Sequence, residues 1–303
     1  MHPEEFGIEQ AQISGKYLPA KYFQVQQARR GIQSLVTVLG SGKILYAGTD
    51  IGVYRSRDGG KTWLQINQGL FDQDIRALAI DPKEPNTVYA GTSRGVFKSE
   101  DAGDTWSDWF DETSGLTHTK IYDIALHPGN PQILFAATGG GIFQSVDAGE
   151  SWEPVFTEQA IQIIKFSASN SDILYASGET GTIRSKNSGR DWSPVWGNAL
   201  PAITTLVSLN TDPEFLYSGT QTGLYKSFNG GRNWVLDPAF KKTSINAIFV
   251  NSKIYIGSGA NFYSSDDGGD SWKHLTSFNQ KINAGSGTSI DITITGIAGL
   301  AGT

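Results

Sequence analysis

The sequence predicts an all-β protein, a seven-bladed β-propeller whose blades are four-stranded antiparallel sheets. An eight-residue segment that begins with serine and ends with tryptophan recurs about every 40 residues along the 303-residue chain, and such a period is typical of repeated supersecondary units. Between the copies, hydrophobic residues alternate with the period of a β-strand. Each end of the chain also matches half of a repeat. The six copies are Ser56–Trp63, Ser99–Trp106, Ser145–Trp152, Ser185–Trp192, Ser227–Trp234 and Ser265–Trp272.

Each repeat predicts four short strands. The first has an Ile-x-x-Leu-Ala character, as in Ile75–Ala79, and is followed by a turn that contains proline. The second is rich in small residues, as in Leu45–Thr49, and the third opens with glycine, as in Gly52–Ser56. The tryptophan begins the fourth strand, which we expect to be the outermost strand of the blade.

The two ends of the chain predict the number of blades. Residues 289–303 align without gaps with 244–258 and so match a first and a second strand, while residues 7–27 supply candidates for a third and a fourth. We therefore expect one domain, 1–303, whose seventh blade combines 7–27 with 289–303. Such a closure leaves no unpaired sheet edge. A ring of six blades with free tails is the alternative.

Composition excludes several classes of protein. The net charge of −6 and the lack of a basic run argue against a nucleic-acid partner. The absence of cysteine excludes disulfides and thiolate metal sites. No segment has the apolar length of a membrane span or the pattern of a signal peptide. The compartment stays open, and an extracytoplasmic location is compatible with a signal removed beforehand.

The octapeptides resemble the Asp-box, or BNR repeat, with the pattern Ser-x-Asp-x-Gly-x-Thr-Trp. This repeat is found in sialidases, sortilin-type receptors, xyloglucan-degrading glycoside hydrolases and the photosystem II assembly-factor family. The resemblance covers nearly the whole chain and implies a propeller. It implies no single activity, because the same turn serves enzymes, receptors and assembly factors.

A structural role is expected for the repeated residues. The acidic or amide side chain accepts backbone N–H groups within the hairpin, and the tryptophan packs between neighbouring sheets. The acidic run Ser265–Asp270 lacks the ligand spacing of an EF-hand, so we predict no metal site and no cofactor. The residues concerned are Asp58, Asp101, Asp147, Asn187, Asn229 and Asp267, with Trp63, Trp106, Trp152, Trp192, Trp234 and Trp272.

A glycoside hydrolase is the enzyme class that the sequence supports best. The segment Thr49–Arg55 resembles the segment that carries a catalytic aspartate in the xyloglucan-degrading family, which makes Asp50 a weak catalytic candidate. Glycosidases need two carboxyl groups flanking one sugar bond, and Glu179 occupies the equivalent loop three blades away. In that family, however, the second carboxylate comes from another propeller. Both residues are otherwise ordinary polar loop residues.

The sequence gives less support to the hypothesis that the chain is a sialidase, because it lacks the Arg-Ile-Pro segment of that family. Arg55 and Arg184 share the slot before the motif serine with Lys98 and Lys226. We expect this row of cations to form a solvated strand face and not an anion site.

Extra aromatic residues beside acidic ones fit a recognition patch for protein or sugar, although wedging between blades is the commoner role of such residues. We predict a non-catalytic interaction scaffold that binds a protein or peptide partner through loops on one face or in the central channel. A carbohydrate-active protein, hydrolytic or only glycan-binding, is the alternative function. The sequence leaves the oligomeric state open. The candidate binding residues are Trp109, Phe110, Asp111 and Trp196.

Overall fold

In the residues that the structure describes, the architecture is that of a β-propeller with six four-stranded antiparallel blades. It is seen in a computed structural model, which describes residues 12–13, 16–17, 32–38, 43–60, 62–108, 114–195, 200, 203–209, 212–250, 253–258, 261–275, 281–284 and 288–291.

Within each blade the strands pair in chain order. Their bounds are Ile32–Thr37, Leu45–Thr49, Gly52–Ser56 and Leu64–Gln65 in blade 1; Ala77–Ile80, Val88–Gly91, Val96–Ser99 and Ser107–Asp108 in blade 2; Ile121–Leu126, Leu134–Thr138, Gly141–Ser145 and Glu153–Phe156 in blade 3; Ile161–Phe166, Leu174–Gly178, Gly181–Ser185 and Ser193–Pro194 in blade 4; Ile203–Ser208, Leu216–Thr220, Leu224–Ser227 and Val235–Leu236 in blade 5; and Ala247–Val250, Ile254–Ser258, Asn261–Ser265 and Lys273–Leu275 in blade 6.

The local sequence accounts for these strands. The tryptophan of each repeat stands immediately before the fourth strand, and glycine opens the third strand of blades 1, 3 and 4. At Gly141 the backbone has a φ of +121°, and a Cβ there would lie 1.9 Å from the Phe156 carbonyl oxygen. Glycine meets both demands. A 3₁₀ turn, Pro238–Phe240, lies between blades 5 and 6.

Apolar clusters fill the spaces between successive blades. Between blades 1 and 2, Tyr46 and Val53 pack with Phe97 and Trp106, and similar clusters lie between each further pair of neighbours up to blade 6. Because burial of apolar area is the main favourable term in folding, these clusters hold the blades together. The first strands also pack side by side from blade 1 to blade 6.

The prediction of a seventh blade is wrong. In the described part of the chain, Lys281–Ala284 pairs with Thr288–Asp291, and Gln12–Ile13 pairs with Lys16–Tyr17, each as a two-stranded sheet of its own. The physical reason is the sequence Gly-Ser-Gly at 285–287, which favours a tight turn between the two strands on either side of it. The alignment of 289–303 with a repeat leaves this turn out. The predicted strand at Tyr22–Val25 lies outside the described residues.

Within the described ranges there is no helix with the length and apolar character needed to cross a membrane.

Candidate functional site

The first strands share a pattern that points one side chain per blade toward the centre of the molecule. An isoleucine opens the pattern in every blade, and it is fully buried at Ile75, Ile121, Ile161 and Ile245. A polar residue follows it each time. The six isoleucines are Ile32, Ile75, Ile121, Ile161, Ile203 and Ile245.

A β-bulge lies at the residue after the isoleucine. In blades 1, 3, 4 and 5 the pairing with the second strand shifts by one residue at this point. In blades 2 and 6 the regular pairing begins one residue later, at Ala77 and Ala247. A bulge leaves one residue without a ladder partner and re-aims its side chain.

The re-aimed side chains meet around one cavity of about 400 Å³, and all six of them line it. We call this set the bulge ring. Because each member lies at the start of a first strand, the ring occupies one end of the cavity. The members are Gln33, Arg76, Tyr122, Gln162, Thr204 and Asn246.

The wall beyond the bulge ring is mostly aliphatic. It is formed by residues further along the first strands and by prolines of the turns that follow. The cavity is therefore polar at the ring and mostly apolar beyond it, where Asp81, Asp123 and Lys165 also line it. The apolar wall residues are Val36, Val38, Leu78, Ala79, Ile80, Ile124, Leu126, Ile163, Pro82, Pro85 and Pro128.

Charges beside the ring are compensated by ion pairs. The Arg76 guanidinium donates to Asp74 Oδ2 at 2.7 Å, and Gln33 Nε2 donates to Asp74 Oδ1 at 3.0 Å. Deeper in the cavity, Lys165 Nζ lies 2.7 Å from Asp123 Oδ2. Positive charges on this wall thus have carboxylate partners within the protein.

The two carboxylates that line the cavity are occupied by hydrogen bonds. Besides Lys165, Asp123 accepts the backbone N–H groups of Ile124 and Ile164, each at 3.0 Å. Asp81 accepts the N–H groups of Lys83 and Glu84 at 2.7 and 3.0 Å through one oxygen. These carboxylates fix the backbone of the first strands and of the turn after them.

Other groups at the ring have no partner among the described residues. The Nε of Arg76 is buried and makes no hydrogen bond. Tyr122 and Gln162 line the cavity, where their polar groups are available to a ligand. The Tyr122 ring also lies 5.1 Å from Lys120 Nζ and 5.8 Å from the Arg76 guanidinium carbon.

The turns between second and third strands lie on the same face as the bulge ring. The Thr49 carbonyl accepts the N–H of Ile75 at 2.8 Å, which joins this turn of blade 1 to the start of blade 2. Asp50 is the next residue, and its Oδ1 is buried without a hydrogen-bond partner. Glu179 is exposed in the equivalent turn of blade 4. Neither of these two carboxylates lines the cavity within the described chain.

The repeated serine-to-tryptophan turns lie on the opposite face, between third and fourth strands. In blade 1, Asp58 Oδ1 accepts the Ser56 hydroxyl at 2.8 Å and the Thr62 N–H at 2.9 Å. Asp58 Oδ2 accepts the Thr62 hydroxyl at 2.6 Å, and the Gly59 N–H reaches the Lys43 carbonyl at 2.9 Å. The carboxylate therefore closes the hairpin that leads into the fourth strand.

Equivalent turns lower the pKa of their carboxyl groups. Partial burial acts to raise the pKa of Asp101 and Asp147, but hydrogen bonds from the hydroxyl and N–H four residues later outweigh it, and the net shift is downward. For Asp267, bonds from Ser271 and Ser265 dominate and hold the pKa well below its usual range.

Two turns use asparagine in place of aspartate. Asn187 Oδ1 accepts the Asp191 N–H at 2.9 Å, and its Nδ2 donates to Asp191 Oδ2 at 2.7 Å. Asn229 Oδ1 accepts the Asn233 N–H at 2.9 Å. All six copies thus make the same turn with different donors and acceptors.

The six tryptophans divide into two groups by burial. Trp106, Trp152 and Trp234 are buried, while Trp63, Trp192 and Trp272 are half-buried. In blades 1, 3 and 4 the indole N–H donates to the carbonyl of the turn glycine, as from Trp152 to Gly149 at 3.0 Å.

The prediction of a solvated row of cations is wrong. Arg55, Lys98 and Arg184 are buried, and only 5% of Arg55 is exposed. Its guanidinium donates to the Ala102 carbonyl at 2.6 Å and to Asp104 at 2.8 Å, both in the turn of the next blade. The neighbouring blade covers these side chains, and the sequence of one strand does not predict such a contact.

The predicted recognition residues Trp109, Phe110, Asp111 and Trp196 lie outside the described residues. Sequence reasoning also missed the bulge ring, although a signal was present. The signal is that isoleucine recurs at the same position of all six repeats, whereas the polar residue after it varies among the blades. A constant position indicates a structural role, and a variable polar position beside it is available for recognition.

Comparisons with known proteins support the fold. No protein-family model matches the chain, and no curated protein matches it. Among solved structures, the GH74 enzyme of Niastella koreensis has a TM-score of 0.65 at 17% identity, covering 85% of this chain and 49% of that chain. The GH74 xyloglucanase of Xanthomonas campestris has a TM-score of 0.64 at 19% identity, covering 80% and 45%. YCF48 bound to D1 peptide has a TM-score of 0.63 at 17% identity, covering 81% and 82%.

The likeness at these identities is one of fold alone. The chain spans less than half the length of the two GH74 enzymes. Because the similar folds include enzymes and a peptide-bound protein, they leave enzymatic activity undetermined.

Proposed function

We propose that this protein is a non-catalytic propeller that binds a protein or peptide partner on the face where the bulge ring opens. On this proposal the six octapeptides are Asp-box turns with a structural role. The observation that carries the proposal is the ring itself: six polar side chains, one from each blade, converge on one cavity. Pockets of this kind, with a few convergent polar groups over an apolar wall, are typical of binding sites.

The carboxylates of the cavity argue against hydrolysis there. Glycoside hydrolysis needs one carboxyl as acid and a second as base or nucleophile. Asp81 and Asp123 instead accept backbone N–H groups, and Asp123 also pairs with Lys165. A peptide-binding role is also compatible with the match to YCF48 bound to D1 peptide, which extends over 81% and 82% of the two chains.

A carbohydrate-active function is the second candidate. One observation favours it: Asp50 Oδ1 is buried and has no hydrogen-bond partner in the described chain. A buried polar atom without a partner is uncommon and calls for an explanation, and a sugar hydroxyl would supply a donor.

The first test is a hydrolysis assay. Purified protein is incubated with xyloglucan, and reducing ends are measured beside the variant Asp50→Asn. We expect no release above the level of heat-inactivated protein. Release by the wild-type protein that is lost in Asp50→Asn would replace the binding function with the glycosidase.

The second test is selection of peptides on immobilised protein from a random dodecamer display library. We expect sequences that bind the folded protein and not the heat-denatured protein. Failure to enrich any such sequence would contradict the proposed function, and binding of xyloglucan oligosaccharides in its place would favour the carbohydrate-active function.

A further inference from the structure

We propose that the cavity takes an uncharged aliphatic side chain from an extended partner segment, while the bulge ring contacts the backbone of that segment. This inference rests on the proposed function and adds the chemistry of the ligand.

The first argument is that the cations of the cavity wall already have carboxylate partners, since Arg76 is paired with Asp74 and Lys165 with Asp123. The remaining carboxylate of the wall, Asp81, already accepts two backbone N–H groups. An acidic ligand side chain would lose its hydration without gaining a free cation in the wall, and a basic one would meet only Asp81, so either charge is costly to bury there. An uncharged side chain meets no such penalty.

The wall of the cavity is the second argument. Beyond the ring, aliphatic residues such as Val36, Leu78, Ile124 and Ile163 line it. Aliphatic walls favour aliphatic groups through burial of apolar area. The described wall offers no aromatic platform below the ring for the face of a sugar, so the observations favour a peptide over a glycan.

The ring supplies the third argument. Tyr122 and Gln162 line one end of the cavity, and the Arg76 side chain at the same end is 20% exposed. Peptide backbone offers one acceptor and one donor at each residue. An extended segment that crosses the ring would pair its carbonyl and N–H groups with Tyr122, Gln162 and the exposed part of Arg76, and would present alternate side chains to the cavity.

The experiment uses dodecamer peptides selected on the wild-type protein, resynthesised with a fluorescent label and titrated by anisotropy. The plugging variant is Gln162→Trp, which adds a large side chain at the ring, where Gln162 is half-buried. Its matched control is Gln132→Trp, which adds the same group to an exposed residue on the opposite face. A second ring variant, Gln162→Ala, removes a contact with little risk to folding.

We expect the selected peptides to share an uncharged aliphatic residue whose exchange for aspartate or lysine weakens binding at least tenfold. Gln162→Trp should weaken binding at least tenfold, Gln162→Ala by about three- to tenfold, and Gln132→Trp should leave it unchanged.

Peptides that bind wild-type protein and Gln162→Trp equally, or that depend on a charged residue, would overturn this inference and leave the proposed function standing. If no peptide binds the wild-type protein, both fail. Binding of a xyloglucan oligosaccharide that Gln162→Trp abolishes, with no peptide selected, would assign the cavity to a glycan and overturn both.

Discussion

At the scale of single residues, the six repeated turns show one geometry made by different chemical groups. In blades 1 and 2 a carboxylate accepts from a threonine hydroxyl, as in Asp58 with Thr62 at 2.6 Å. In blade 4 the roles are exchanged, since the Asn187 amide donates to the Asp191 carboxylate at 2.7 Å. A donor on one side thus faces an acceptor on the other in both arrangements.

We predict that Asn187→Asp lowers the Tm, because it places a second carboxylate against Asp191. Both residues are exposed, so the loss is small, about 1 kcal/mol, or roughly 2 °C in Tm. The double variant Asn187→Asp with Asp191→Thr restores the pair found in blade 1 and should melt close to the wild type. Thermal melts followed by circular dichroism check both variants. An equal loss of Tm in the single and the double variant would contradict the idea that the donor and the acceptor can be exchanged.

The lowered pKa values of Asp101, Asp147 and Asp267 predict loss of stability in acid. A carboxyl whose folded pKa lies below its unfolded value contributes stability above the unfolded pKa and loses it as the pH falls toward the folded pKa. The Tm should therefore be flat from neutral pH to about pH 5 and fall below the ordinary aspartate value of 3.8.

The comparison is with the triple variant Asp101→Asn, Asp147→Asn, Asp267→Asn, measured by Tm between pH 3 and 7. This variant should be less stable at pH 7 and show a shallower fall in acid. If the Tm of the triple variant falls in acid as steeply as that of the wild type, other carboxyl groups cause the loss of stability.

At the scale of elements, tyrosines of the second strands join neighbouring blades. Tyr46 donates its hydroxyl to the Ala102 carbonyl of blade 2, and Tyr89 to the Ala148 carbonyl of blade 3, both at 3.1 Å. Tyr175 and Tyr217 reach carbonyls of the next blade in the same way. Phe135 replaces the tyrosine in blade 3, so that blade makes no such bond to blade 4.

Tyr46→Phe should cost about 1 kcal/mol, because it removes the partly buried hydrogen bond to Ala102 and little volume. Tyr54 is the matched control. It is also fully buried, burial raises its pKa to about 12, and its hydroxyl has no partner in the described chain. Tyr54→Phe should therefore leave stability unchanged or raise it. Urea unfolding of both variants provides the measurement, and equal losses would contradict the role of the inter-blade bond.

Local sequence was sufficient to predict most elements and insufficient for the site. Strand alternation, opening glycines such as Gly141 and the serine-to-tryptophan turns are properties of short segments, and they predicted the blades. The bulge that re-aims Arg76 and Tyr122 depends on pairing register, and the burial of Arg55 depends on the next blade. Neither can be read from one strand. The blade count was wrong because similarity of 289–303 to a repeat outweighed the turn signal at 285–287.

At the scale of the whole molecule, the propeller brings together residues that lie far apart in the chain. Gln33 and Asn246 line the same cavity, because the first strands pack in order around it. The repeat thus combines six uniform structural positions with six variable ones. This arrangement explains how a stable scaffold carries an asymmetric polar ring.

The most direct test of the binding face is photocrosslinking of a selected dodecamer to protein that carries p-benzoylphenylalanine in place of Lys120, an exposed residue beside the bulge ring whose Nζ lies 5.1 Å from the Tyr122 ring. The control carries the same group in place of Ser271, exposed on the opposite face. We expect a crosslink from position 120, competed by unlabelled peptide, and none from position 271. A crosslink from position 271 alone would place the partner on the wrong face and contradict the central claim.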